Sequence, residues 1–349
     1  MKTKILNICI RNRKSLINIF VKLFFLSRLL RLKAICLVAT HFFRKNILRK
    51  ISPAAAMFAL TYKCQFKCGH CAVVNYKDSG ELSFMEIIKT LDQLFLLKVP
   101  RLYFDGGDPL LREDILDIIA YSSKKGFITF LETNGFLLSE SKIESFKDAG
   151  LSCVNVSLYG SNAYLHDGFT GVKNSFQHIM DVLGICYNKK LPCLVSIVVT
   201  GELIKTGEIN RLISLAKEKK ACAVRLTAPH FVGRWSKLYN LLSEKENEYI
   251  DNISFALFPI FKRANIAKCS IGDSLYISPN GEIQPCEFLP YSFGNIKAKP
   301  VDDIIRRMCA ESMFQDKEKI ACRIDDFGFR QKFILNIPQE EALPIKLYS

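Results

Sequence analysis

An α/β fold built on a barrel of parallel strands is what this 349-residue sequence predicts. From residue 53 to about 260, short apolar runs alternate with longer amphipathic ones, and every Gly-rich break follows an apolar run. Six such strand–helix units imply parallel strands joined by right-handed crossovers. In a barrel of that kind the loops after the strands gather at the carboxyl end, where active sites sit.

The elements follow in order. Met57 to Thr61 reads as a short strand running into a cysteine-rich loop, and Phe84 to Leu97 as a helix. Arg101 to Phe104 is a predicted strand that stops at Asp105-Gly106-Gly107-Asp108-Pro109. A helix over 115–125 and a strand over 128–132 follow, the strand ending at Thr133-Asn134-Gly135. After a helix over 140–149, the strand over 153–158 ends at Tyr159-Gly160. Helices over 176–189 and 209–219 alternate with strands over 193–199 and 224–227. Residues 265–349 break the rhythm: extended runs at 274–278 and 282–285 flank Pro279-Asn280-Gly281, a hairpin signal. The boundaries are therefore expected at 1–52, 53–262 and 263–349.

The charge is unevenly placed. The formal net charge is +15, yet residues 1–50 alone hold thirteen Lys or Arg and no Asp or Glu, leaving +2 for the rest. Residues 17–30 mix Ile17, Phe20, Phe24 and Leu29 with basic side chains at helical spacing. Such a basic amphipathic helix can adhere to an anionic membrane surface, pack on the main domain or bind a partner. The longest apolar run of the N-terminal segment, Ala34 to Phe43, is far short of the roughly 20 residues that span a bilayer. No aromatic-rich motif accompanies the basic residues, so nucleic acid is not expected.

The cysteines carry the chemistry. Thirteen in a long chain do not form the framework of a small secreted domain, and their clustering points to a reducing compartment. Cys64, Cys68 and Cys71 have Cys-x3-Cys-x2-Cys spacing. Three thiolates this close can hold three irons of a four-iron, four-sulfur cluster, which takes four cysteines when fully ligated. One iron is then open to a small molecule. A zinc site using His70 as fourth ligand is the plainer alternative. A second set, Cys269, Cys286, Cys309 and Cys322, surrounds the hairpin. Cys309 shares a helical face with Val301, Ile304, Ile305 and Met308 and reads as a core residue. Cys322, in a loop-like stretch, reads as the better ligand.

The cysteine loop, the Gly-Gly-acid after the second strand and the hairpin with its cysteines resemble the radical S-adenosylmethionine (radical SAM) superfamily, in its SPASM or twitch branch, over about residues 55–330. The resemblance implies a TIM-like (β/α)6 partial barrel with a small C-terminal auxiliary-cluster domain. It also implies an enzyme that reductively cleaves SAM at a [4Fe–4S] cluster, forming a 5′-deoxyadenosyl radical that takes hydrogen from a small-molecule or peptide substrate. By the same resemblance Cys64, Cys68 and Cys71 ligate that cluster, and Gly106, Gly107, Asp108, Asn134 and Ser157 contact SAM. Asp108 stands where the family usually has Glu, and Tyr159 where it often has Asp. His70 falls at the position of an aromatic residue that contacts the adenine. The extension implies one auxiliary cluster on Cys269, Cys286 and Cys322, because the full pattern of seven cysteines is not met. A reducing partner such as flavodoxin or ferredoxin and a cytoplasmic location, with peripheral contact to the inner face of the membrane, are further expectations. The competing reading is a non-catalytic iron–sulfur or zinc-binding electron-transfer or scaffold protein.

Overall fold

The computed structural model describes residues 31–76, 80–236, 242–254, 258–262, 272–311, 313, 322–337 and 343–348. Its frame is one open sheet. Strands β1 (Ala55–Thr61), β2 (Arg101–Gly106), β3 (Ile128–Thr133), β4 (Cys153–Ser157), β5 (Cys193–Val198), β6 (Ala223–Thr227) and β7 (Ile260–Lys262) lie side by side in chain order. Each is parallel to the next. The rhythm of the sequence predicts six parallel strands; β7 is a seventh, too short for its alternation to be read.

The hairpin forms, but as part of this sheet. β8 (Ser274–Ile277) pairs in parallel with the free side of β1, and β9 (Ile283–Gln284) returns antiparallel to β8. Gly281 makes the turn at φ +92°, where its amide donates to the Ser278 carbonyl at 2.9 Å. The expected break at residue 263 is thus a change of motif and not of sheet.

Local signals set the helix ends. Ser83 opens α2 (Phe84–Leu96) with a reciprocal capping box to Glu86. Gly126 and Gly150, both left-handed, close α3 (Ile115–Lys125) and α4 (Glu140–Ala149). Two short helices, α5 (Ala163–Thr170) and α7 (Gly201–Lys205), are not legible in the strand–helix rhythm. Between them lies α6 (Ser175–Lys189), and α8 (Glu208–Glu218) precedes β6. α9 (Glu244–Asn252) follows, then α10 (Val301–Ala310) and α11 (Phe327–Phe333). Val301, Ile304, Ile305 and Met308 are buried on one face of α10, as their spacing requires. Cys309 packs against the same main core.

The amino-terminal helix α1 (Leu32–Phe42) has a definite place. Ala34 packs among Ile128, Phe130, Cys153, Leu194 and Ala223, which lie at the amino ends of β3 to β6. α1 therefore plugs the bottom of the barrel, and the packed-helix alternative describes residues 32–42. Residues 1–30 lie outside the described residues. Among those described, no helix is long and apolar enough to cross a membrane.

Candidate active site

Alternation along the strands stacks the barrel interior in layers. The lowest is apolar, with Tyr103 stacked on Phe130 at 4.6 Å. Two residues further along each strand the inward positions turn polar: Asp105, Glu132, Asn155, Ser196 and Arg225. Arg225 forks onto Glu132 (Nη1 to Oε1 3.1 Å, Nη2 to Oε2 2.5 Å) and donates from Nε to the Ser196 hydroxyl at 2.8 Å. Ser196 donates to Asn155, and the Asn155 amide donates to Glu132. Burial opposes the Arg225 charge, but Glu132 more than offsets it. Burial, together with Glu287 and Glu132, pushes the Asp105 carboxyl well above the usual range. Its Oδ1 is buried without a hydrogen-bond partner. This layer floors a cavity of about 300 Å³ that opens at the carboxyl ends of the strands. The guanidinium fork of Arg225 is thus occupied by Glu132. Asp105 and Glu132 went unread, although charged residues at inward positions of buried strands are a usable signal.

Cys64, Cys68 and Cys71 all line the cavity mouth. Their loop is held from two sides. Below it, Gly107 and Asp108 donate their amides to the carbonyls of Thr61 (2.7 Å) and Lys63 (2.9 Å). A Cβ on Gly106 would lie 2.0 Å from the Thr61 carbonyl oxygen, and one on Gly107 2.1 Å from that of Lys63. The glycine pair is thus demanded by close backbone approach. Above it, Arg234 donates from Nη1 to the Cys68 carbonyl at 2.6 Å and from its amide to that of Cys71 at 3.1 Å. A Cβ on Gly233 would meet that Cys71 oxygen at 2.0 Å. Gly233-Arg234 is thus a clamp on the loop.

The donor set fits a cluster. Burial and the two neighbouring thiols push Cys68 up to about 12, and burial also raises Cys64. Such thiols need a cation to hold them as thiolates, and loading releases their protons. A single zinc draws its ligands to within about 4 Å of one another. Among the described residues only His230, Cys322 and Asp325 bring three ligand atoms within 4.8 Å of one another, so the three loop cysteines are spread wider than that.

The other expected contacts divide. Asn134 and Ser157 line the cavity, and Asn134 donates its amide to the Cys64 sulfur at 3.8 Å. Asp108 is fully buried and is not among the residues that line the cavity. It accepts from the Thr133 hydroxyl (2.7 Å), the Gln65 amide (2.7 Å) and the Leu110 amide (3.2 Å), capping the next turn. Gln65 also donates to Asn134 at 3.1 Å, so Asp108 positions the wall through its neighbours. His70 sits in a cage of Tyr159, Phe169 and Trp235, with centroids at 4.9, 5.3 and 5.6 Å. Burial holds its pKa down at about 4, so the ring is neutral and its Nδ1 has no partner. His166 and Asp167 brace the backbone: His166 accepts the Tyr159 amide at 3.2 Å, and Asp167 caps the start of α6 through Asn174 and Phe176.

In the C-terminal part, Cys286 and Cys322 pack on one small apolar cluster of Leu289, Ile324 and Phe329. Cys309 is apart from them, on the main core. Cys269 lies outside the described residues.

An open parallel barrel with three cysteines at its mouth defines a class, and the comparisons name it. Residues 58–213 match the radical SAM superfamily, and residues 269–324 match the SPASM iron–sulfur cluster-binding domain. An AdoMet-dependent heme synthase of Methanosarcina barkeri is 25% identical over 304 residues, covering 77% of this chain and 86% of that protein. A PqqA peptide cyclase of Rhizobium meliloti is 26% identical over 285 residues, covering 74% and 75%. SuiB of Streptococcus suis bound to S-adenosylmethionine superposes with TM-score 0.64 at 18% identity, over 76% of this chain and 68% of that one. The enzyme anSMEcpe with bound AdoMet gives 0.59 at 15% identity, over 74% and 81%.

The chain belongs to the radical SAM superfamily, in its SPASM-type branch. It is an enzyme that uses a [4Fe–4S] cluster, SAM and auxiliary iron–sulfur chemistry on a peptide or small-molecule substrate. The scaffold reading falls with that.

Proposed function

We propose that Cys64, Cys68 and Cys71 bind the SAM-cleaving cluster, that Gly107, Asn134, Ser157 and the His70 ring hold SAM, and that the polar layer at Asp105 receives the substrate. The observation that carries this is the convergence of all three loop cysteines and the polar layer on one cavity. When bound and reduced by one electron, the cluster and SAM supply a 5′-deoxyadenosyl radical. The residues of the chain do the rest. Asn134 orients on Cys64, the caged His70 offers a neutral ring to adenine, and the aromatic wall excludes water. Because Glu132 occupies Arg225, and Glu287 adds a further acid, the floor suits a neutral or cationic polar group rather than a carboxylate. We read the substrate as a small molecule, or one side chain of a peptide, carrying such a group.

The same reading assigns residues 53–262 to the SAM-cleaving core and 263–349 to the auxiliary region, with a cluster on Cys269, Cys286 and Cys322. A flavodoxin or ferredoxin supplies the electron in the cytoplasm. The outward side of residues 32–47 supports peripheral membrane contact, because Leu32 is 83%, Phe42 62% and Ile47 61% exposed beside Arg44 and Lys45. Serine at those three apolar positions should then abolish co-sedimentation with anionic liposomes.

Anaerobic reconstitution with iron and sulfide, then dithionite and SAM, tests the central assignment. 5′-Deoxyadenosine should appear, and Cys68→Ala should reduce it to background. Cleavage retained in that variant, or none in a cluster-loaded wild type, overturns the assignment.

A further inference from the structure

The floor of the cavity carries more acid than its own cation can answer. Three carboxyls line it: Asp105 in β2, Glu132 in β3, and Glu287, three residues past β9. Among the described lining residues Arg225 is the one guanidinium, and no lysine accompanies it. Arg225 commits its fork to Glu132 and its Nε to Ser196. Of the two lining histidines, His70 is held neutral by burial and His230 is bonded to Asp325. On the β1 and β8 side of Asp105 stand Tyr62 and Tyr276, whose hydroxyls meet at 3.5 Å. Burial above all holds both phenols neutral, with Asp105 adding to the effect. Asp105 itself lines the cavity with its Oδ1 buried and without a hydrogen-bond partner. A buried carboxyl in that state is stabilised by a cation that enters the cavity.

The arrangement also says which kind of cation. The acids come from separate elements and not from one face. A primary ammonium is a compact charge with three rotatable donors, which suits carboxyls converging from several sides. A guanidinium prefers one carboxylate met edge to edge, as Arg225 meets Glu132. We propose that Asp105, together with Glu287, is the subsite for a primary ammonium group, so that the substrate is an alkylamine, either free or as the lysine-type side chain of a peptide. This rests on the reading above that the cavity beneath the cysteine loop receives the substrate. An ammonium seated on the floor holds the carbons next to it between the floor and the mouth, where Cys64, Cys68 and Cys71 lie. The subsite therefore selects the substrate and also which of its hydrogens is presented.

The test uses the full chain, reconstituted anaerobically with iron and sulfide and saturated with SAM without reductant. Thermal denaturation is followed at constant ionic strength, since a ligand of the folded state raises the midpoint in proportion to its occupancy. Butylammonium is the free-amine probe and acetyl-lysine methylamide the peptide-borne one; butyrate and butanol are controls of similar reach. An amine should raise the midpoint and the two controls should not, and the amine effective at the lower concentration identifies the source. In Asp105→Asn, about tenfold or more of that amine should be needed for the same rise, the loss of one charge-assisted bond. Should Asp105→Asn fail to fold, Glu287→Gln carries the same expectation. Protection by butyrate equal to that by the amines, or amine protection unchanged in the variant, overturns the proposal. No protection by either amine, in a preparation that forms 5′-deoxyadenosine once dithionite is added, also overturns it while leaving the SAM-cleaving site in place. A cluster-loaded preparation that cleaves no SAM instead removes the reading beneath it, and the proposal with it.

Discussion

The two cysteine sites are built in opposite ways. The first is continuous: Cys64, Cys68 and Cys71 lie within eight residues, and the structure adds only the clamps beneath and above them. The second pair, Cys286 and Cys322, comes from separate stretches of the chain and meets on one apolar cluster, with His230 close to Cys322. A continuous site places its own ligands through loop geometry, whereas an assembled one depends on packing across elements. Damage should therefore spread differently in the two.

The largest effect is expected at Gly107. Alanine there puts a Cβ 2.1 Å from the Lys63 carbonyl oxygen, which already accepts from the Asp108 amide. Overpacking of this kind costs about 2 kcal/mol or more, so thermal denaturation should show a loss of several degrees together with loss of iron from the first cluster. Unchanged stability would mean that the loop is more pliant than its contacts imply. Cys322→Ala comes next and reports on the other site: iron analysis should find about four fewer irons per chain, while 5′-deoxyadenosine formation persists. Equal iron in variant and wild type would make Cys322 a packing residue.

Arg234→Ala should be milder, since it removes a clamp and no ligand. Outer-shell losses of this kind weaken metal retention about 10- to 100-fold, to be read as faster loss of cluster absorbance to a chelator. The smallest effect concerns His166, whose burial lowers its pKa from 6.5 to about 4. Between those values the unfolded chain binds a proton that the folded one refuses, so stability falls as pH is lowered through that window. His166→Gln should flatten this slope and remove about 1–2 kcal/mol of the destabilisation at pH 5, measured by urea denaturation of the cluster-free protein. A slope identical in both proteins would place the titration elsewhere.

The barrel was legible because parallel strands buried on both faces and punctuated by Gly leave a rhythm along the chain. β7 was not, since three residues carry no period, and neither was the joining of β8 to β1, which is a long-range pairing. Ala34 as the plug of the barrel was equally hidden, because the basic charge of its segment dominates its composition. Asp108 shows a different gap. Its place after Gly-Gly is a local fact, but its direction, toward Thr133 and Gln65 and away from the cavity, is set by the neighbouring strand.

By itself the sequence determined the class of chemistry, because the three cysteines that define it are neighbours and their spacing is fixed by covalent geometry. Only the tertiary structure decided which charged groups floor the cavity and which residues brace the loop. It alone set His230 beside Cys322, because residues far apart in the chain meet through strand register and burial, which no local pattern encodes.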